Sequence, residues 1–274
     1  TAFALSQIKR YYPQVKIITR AHGWDVYFEA NRANYLPFRK PILHGLDRIF
    51  FISQKGFDYY HKLLPELTHK MEIARLGVPQ HSAKEPNLES EKLQIVSCSN
   101  VIPLKRIHLI PEALSVISDI PVEWAHLGIG SAFENLQNHC LQLLSDKSNI
   151  TYHLTGYVAN DRVISFYLTH AANLFINVSS TEGIPVSIME AMSFGIPVIA
   201  TDVGGTAEIV KNGYNGFLLS TNPSPEEIAE AITSFYNLPY EEKICLRNNA
   251  YSTWEKDYNA EKNYKAFVEK ILSL

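Results

Sequence analysis

Short apolar runs separated by stretches of helical periodicity recur along almost the whole of this 274-residue chain. Runs at 15–19, 48–52, 70–75, 93–98, 122–127, 150–154, 174–178, 197–200 and 216–219 predict strands. Many are near-continuously apolar, the pattern of strands covered on both faces. Helical spacing falls between them at 53–64, 107–118, 132–145, 160–169, 185–194 and 225–236. Two further helices, 240–253 and 259–273, close the chain, and a helix-like segment at 2–12 opens it. Strand and helix in regular alternation predict parallel βα units.

The polar stretch 79–92, PQHSAKEPNLESEK, breaks the rhythm and reads as a linker. Charge changes sign there: residues 1–84 carry 13 basic against 6 acidic side chains, and the remainder 12 against 22. A basic first unit facing an acidic second one leaves open contact with an anionic membrane surface, or simply a solvated basic face. After the linker there is room for a complete doubly wound domain, whereas three strands precede it. The chain also starts at Thr1, inside a βα unit, so the first unit is expected to be incomplete. At 46% hydrophobic and 19% charged, the composition is that of a globular protein, and no apolar run approaches the roughly 18 residues of a membrane span. Three cysteines (Cys98, Cys140, Cys245) without ligand spacing read as free thiols.

The candidate chemistry lies at 179–210, SSTEGIPVSIMEAMSFGIPVIATDVGGTAEIV. Glu182 and Glu190 flank the start of a helix. Pro185 suits its first turn, Thr181 or Glu182 could cap it, and Gly183 lets the backbone approach a ligand. Free amides at a helix start favour an anion, and a carboxylate accepts from hydroxyls, which together suit a phosphate joined to a polyol. Glu190 sits among apolar neighbours, where burial without a partner is costly. Gly204-Gly205 reads as a tight turn, with a second ligand-facing edge as the alternative.

EGIPVSIMEAMSFGIPVIATDVGGTAEIV resembles the E-x7-E segment of retaining nucleotide-sugar glycosyltransferases of the GT-B fold, the family 4 or group 1 glycosyl transferases. LQIVSCSNVIPLKRIHLIPEAL resembles their first donor-domain strand, phosphate loop and helix. VEWAHLGIGSAFENL resembles the second strand and its glycine turn, and ITYHLTGYVANDRVISFY the strand and helix beside the base. Upstream, ITRAHGWD resembles the interdomain histidine loop, and IARLGVP the turn before the linker. The resemblance implies an α/β, GT-B-like fold of two Rossmann-type units facing a cleft. These would be an acceptor-side unit at 1–80, a donor-binding unit at 81–255 and a final helix, 256–274, returning to the first unit.

By that resemblance Glu190 would hold the ribose hydroxyls, and Glu182, Lys105 and His22 would be catalytic. Lys105 would bind the diphosphate, while Glu182 and His22 would meet the donor sugar. Gly183, Ile184, Pro185, Val186, Val158 and Gly130 would line the donor site. Family members commonly carry an arginine where Asn100 stands here, and Arg106 is the candidate replacement. The implied reaction is hexosyl transfer with retention from a UDP- or GDP-sugar to a glycan or lipid-linked acceptor. It would proceed without metal or cofactor, in the cytoplasm or at the inner membrane face, in bacterial polysaccharide or lipopolysaccharide synthesis. Alternatives are a non-catalytic or truncated nucleotide-sugar-binding fragment and an epimerase or phosphorylase on the same architecture. Gly128-Ile129-Gly130 lacks the third glycine of a dinucleotide fingerprint, Phe133 standing there, which argues against a nicotinamide enzyme. No nucleic-acid-binding motif is present.

Overall fold

The computed structural model describes residues 2–28, 34–81 and 91–274. Most of the expected linker, at 82–90, lies outside the described residues. The first sheet contains β1 (Ile18–Ala21), β2 (Arg48–Phe51) and β3 (Met71–Ile73), parallel and in that order. The second contains β4 (Leu93–Cys98), β5 (Val122–Leu127), β6 (Ile150–Leu154), β7 (Leu174–Asn177), β8 (Val198–Thr201) and β9 (Gly216–Leu219). Its spatial order is β6-β5-β4-β7-β8-β9, parallel throughout.

Helices α1 (Ala2–Ile8), α2 (Gly23–Val26), α3 (Arg39–Gly45) and α4 (Gln54–Leu63) accompany the first sheet. Next come α5 (Leu109–Val116), α6 (Phe133–Leu144), α7 (Asn160–Thr169) and α8 (Val186–Ser193). The last four are α9 (Thr206–Ile209), α10 (Pro225–Tyr236), α11 (Tyr240–Asp257) and α12 (Ala260–Leu272). Every strand expected from the apolar runs is present, with ends moved by a few residues. The run at 70–75 shortens because a 3-10 turn, Pro65–Lys70, consumes its first residue. Helices α2 and α3 are additions, each too short to show a period.

Successive strand residues feed opposite faces of the second sheet. Ile95, Trp124, Leu174, Ile176 and Ile199 pack with Ile110, Leu136, Ile232 and Phe235 from α5, α6 and α10. Val96, Phe175, Val198 and Ala200 pack on the other side with Tyr167, Ile188, Met192, Ala250 and Trp254 from α7, α8 and α11. Two buried faces explain why these strands read as unbroken apolar runs. Around the first sheet, Phe51 meets Tyr60 of α4 at 5.0 Å between ring centroids, and Phe50 meets Phe267 of α12 edge-on at 4.9 Å. Lys270 of α12 also donates to the Ile73 carbonyl and pairs with Glu72 at 3.2 Å.

The chain passes between the two sheets at two places that lie side by side. Val78 N–H donates to the Tyr258 carbonyl and Ala260 N–H to the Val78 carbonyl, each at 3.0 Å. Gly77 is what lets these segments touch: a Cβ there would sit 2.6 Å from Ala260 N and 2.7 Å from Tyr258 O. Gly77→Ala should therefore push the two crossings apart and cost about 1–3 kcal/mol of stability, read from thermal melts. An unchanged melting temperature would show that the crossing is not close-packed.

Candidate functional site

The strand order of the second sheet reverses between β4 and β7. The helix that follows β4 packs on one face and the helix that follows β7 on the other, which opens a crevice at the strands' carboxyl ends. Residues 99–108 leave β4 into one side of this crevice and 178–185 leave β7 into the other.

Lys105 and Glu182 meet across it. The Lys105 Nζ lies 2.5 Å from Glu182 Oε1, with the two side chains 22% and 10% exposed. Asn177, at the end of β7, donates its Nδ2 to the same oxygen at 3.3 Å, and its Oδ1 accepts from Ser179 N–H at 3.1 Å. Sequence reasoning missed Asn177; the signal was one amide ending an otherwise apolar strand, LFIN. The two loops are also tied through their backbones, Ser180 N–H donating to the Leu104 carbonyl at 2.9 Å.

The Glu182 turn rests on Gly204-Gly205. Gly204 has φ +55°, and a Cβ on it would fall 1.7 Å from the Glu182 carbonyl oxygen. Gly205 N–H donates to the Gly183 carbonyl at 2.7 Å. Only glycine fits the first of these positions, and the pair acts as the turn that carries Glu182 and Gly183. Gly130 has a similar packing reason, since its Cβ would lie 2.3 Å from the Val101 carbonyl oxygen beside the Lys105 loop.

Helix α8 begins at Val186, with Pro185 as its N-cap at φ −67° and ψ 122°. Sequence reasoning put Pro185 inside the first turn. Its extended ψ places it one residue earlier, and neither Thr181 nor Glu182 caps the helix. Among the described residues, no protein group accepts from the amides of Gly183, Ile184, Val186 and Ser187. Ile184 and Pro185 are buried, while Val186 is exposed at the helix mouth.

Glu190 stands in the second turn of α8 and is 9% exposed. Among the described residues none hydrogen-bonds its carboxylate. Burial pushes its pKa from 4.5 up to about 7. The Cys98 thiol at the end of β4 is pushed up to about 12, first by burial and then by the Glu190 carboxylate. Glu190 thus faces the β4 side of the crevice. The Tyr167 hydroxyl, also influenced by Glu190, is buried without a hydrogen-bond partner.

Arg106 is differently engaged. Held at φ +49°, it donates from Nε to the Val178 carbonyl and from Nη2 to the Ser179 carbonyl, both at 2.8 Å. Thr221 O and Asn222 Oδ1 take further bonds at 3.0 Å. The guanidinium braces three loops, so to stand in for the arginine missing at Asn100 it would have to leave these carbonyls. Asn100 itself is exposed on the β4 loop. Val158 is half-buried beyond β6, after Gly156, whose carbonyl accepts from Gly128 N–H at 3.1 Å.

His22 is exposed at the carboxyl end of β1 and opens α2, its N–H donating to Asp25 Oδ2 at 3.2 Å. The neighbouring Gly23 comes so close to the Glu182 turn that a Cβ on it would lie 3.7 Å from Gly183 Cα. The histidine loop of the first sheet therefore touches the acidic turn of the second. A cavity of about 500 Å³ lies elsewhere, beside β1 and α3, lined by Ile18, Leu43, Arg39 and Tyr60; the titratable cluster occupies the open crevice instead. No group of three or more His, Cys, Asp or Glu among the described residues could hold a metal ion, and no described helix is long and apolar enough to cross a membrane.

The sequence pattern of the family described as Glycosyl transferases group 1 matches residues 80–253. The putative colanic acid biosynthesis glycosyltransferase WcaL of Escherichia coli K12 is 26% identical over 255 residues, covering 89% of this chain and 61% of the relative. The putative teichuronic acid biosynthesis glycosyltransferase TuaC of Bacillus subtilis is 31% identical over 186 residues, covering 67% of this chain and 43% of the relative. The chain thus spans only part of the length of these curated relatives. Anabaena Alr3699/HepE, solved in complex with UDP and glucose, superposes with a TM-score of 0.78 at 17% identity, over 100% of this chain and 76% of that one. At that identity the likeness speaks for the fold, which is GT-B-like α/β.

Glu190 generates a pH dependence. With a folded pKa of about 7 against 4.5, the folded state binds more protons than the unfolded state between those values. Stability should fall as pH rises through that window, by about 3 kcal/mol in all, and level off above it. Glu190→Gln should flatten this slope and leave the ligand-free protein more stable than wild type at pH 8, measured by urea unfolding at pH 5 and pH 8. Equal slopes in the two proteins would contradict the burial.

Proposed function

The chain belongs to the glycosyl transferases group 1 family, and from that premise we propose that it carries the nucleotide-sugar site of a glycosyltransferase. The reaction moves a hexosyl group, with retention and without metal, from a nucleoside diphosphate to a hydroxyl of a glycan or lipid-linked acceptor. The setting is bacterial surface-polysaccharide synthesis, in the cytoplasm or at the inner membrane face. Supporting this is the kinship with proteins named for colanic acid and teichuronic acid biosynthesis. In domain terms, 81–255 is the donor-binding unit, 1–80 belongs to the acceptor side, and 256–274 returns to it.

One observation carries the reading. A buried carboxylate without a hydrogen-bond partner among the described residues, Glu190, shares a sheet crevice with a lysine and a helix start whose first amides have no acceptor among them either. Such a crevice offers hydroxyl acceptors and phosphate donors side by side. Glu190 takes the ribose hydroxyls, and Lys105 with the amides of Gly183, Ile184 and Val186 takes the diphosphate. Val158 lies toward the base, and Gly130 lines the donor site.

The barrier to transfer is separation of a positively polarised anomeric carbon from a departing diphosphate. Groups that bind the leaving group more tightly as its charge grows lower that barrier. In the ligand-free protein Lys105 is neutralised by Glu182. An arriving diphosphate draws the ammonium toward itself, which frees Glu182 to accept from sugar hydroxyls opposite His22. Once the donor is bound the positive field for the leaving group is assembled, so little reorganisation is needed at the moment of bond cleavage.

Calorimetric titration separates the two halves of the site. Glu190→Ala removes two charge-assisted hydrogen bonds, worth about 1.5–3 kcal/mol each, and should weaken UDP and uridine alike by about 100-fold or more. Lys105→Ala should weaken UDP but leave uridine nearly unchanged. Full UDP affinity in either variant would remove that residue from the site.

A further inference from the structure

Glu208 connects the two units at a place separate from the crevice itself. It stands on α9, directly after the Gly204-Gly205 turn that carries Glu182. Its Oε2 accepts from Gln54 N–H and its Oε1 from Lys55 N–H, each at 2.8 Å, across 154 and 153 positions of sequence. These are the first two residues of α4, beside the first sheet. Ser53 Oγ takes the next amide, Gly56, at 3.0 Å. The orphan amides of the first helical turn are thus satisfied, two of them by a side chain from the opposite unit. The Arg75 guanidinium stands 3.5 Å from Oε2, and the Glu208 side chain is 17% exposed.

We propose that Glu208 is a positioning residue for transfer, a two-point clasp on α4 that holds the first unit against the donor side and so sets His22 over the Glu182–Gly183 turn. Its importance for the sugar rests on the donor reading above; the clasp itself does not. A carboxylate at a helix start is favoured twice, by the helix dipole and by the two N–H donors. Accepting at two oxygens fixes an angle as well as a distance, which a single hydrogen bond cannot do.

The connection from α4 to the site is continuous. Tyr60 of α4 donates its hydroxyl to the Asp25 carbonyl in the histidine loop at 3.0 Å. Ile52, just before α4, has its Cδ1 3.6 Å from where a Cβ on Gly183 would be. The paired crossings at Val78 give the pivot and the clasp gives the stop. Releasing α4 therefore withdraws His22 and Ile52 from Gly183 together, while Glu190 and Lys105 stay in place. The residue pattern G-G-T-A-E, read from sequence as a tight turn with a second ligand-facing edge as the alternative, holds both the glycines that carry the acidic turn and the acid that closes the clasp.

Two variants open the clasp from opposite sides. Glu208→Gln keeps the shape but loses one acceptor and the charge. Gln54→Pro removes one donor at the first helical position, where proline is favoured, after a Ser53 already extended at φ −139° and ψ 152°. Hydrogen exchange at the Lys55 amide should be about tenfold faster or more in each, and no faster in the double variant than in the singles. UDP should bind both variants within about threefold of wild type and, by reciprocity, change Lys55 exchange in the wild type by no more than about that factor. Unchanged Lys55 exchange in both variants, or UDP affinity falling in step with it, would overturn the proposal. If wild type binds no UDP, the donor reading fails, and exchange in the ligand-free proteins still decides the clasp.

Discussion

Everything at the site depends on the reversal of strand order between β4 and β7. Because consecutive βα units pack their helices on opposite faces from that point, two loops leave adjacent strands in diverging directions and cannot fill the space between them. The gap brings a lysine from one loop against a glutamate from the other, and it leaves the start of α8 without a covering segment. Where the backbones must close up again, side chains are excluded: Gly204 and Gly130 stand where a Cβ would collide with a neighbouring carbonyl. The chemistry is therefore a consequence of topology, made exact in position by glycines.

Glu190 shows what that geometry costs. A buried carboxyl near Cys98 and Tyr167, with no hydrogen-bond partner among the described residues, disfavours its charged form, and the folded state carries the penalty at neutral pH. Lys105 and Glu182 avoid such a penalty by pairing with each other. Ligand binding reverses both conditions: hydroxyls supply the hydrogen bonds Glu190 lacks, and phosphate competes for the lysine. Donor binding thus relieves the penalty at Glu190 while exchanging the Lys105–Glu182 pair for a lysine–phosphate one.

Much of this was legible in the sequence. Nine apolar runs became the nine strands found among the described residues, because burial on both faces writes a continuous signal. Glu182 and the α8 start were legible in the motif itself, while Lys105 was brought to them only by the family resemblance. What was not legible depends on contacts between distant segments. The αL turn at Arg106 points its guanidinium at the carbonyls of Val178, Ser179 and Thr221, and nothing local announces that. Glu208 on the amides of α4 is likewise settled by neighbours far away in the chain. The short α2 and α3 escaped notice because four and seven residues are too few for a helical period to emerge.

The account turns on a buried Glu190 whose pKa is raised by burial, so that holding a ribose as a carboxylate favours loss of its proton. Titrating wild-type protein with UDP at pH 7 in two buffers of different ionisation enthalpy measures that proton directly. The account predicts a buffer-dependent heat from net proton release on binding UDP that is larger in wild type than in Glu190→Gln. Equal proton release by wild type and Glu190→Gln would contradict it.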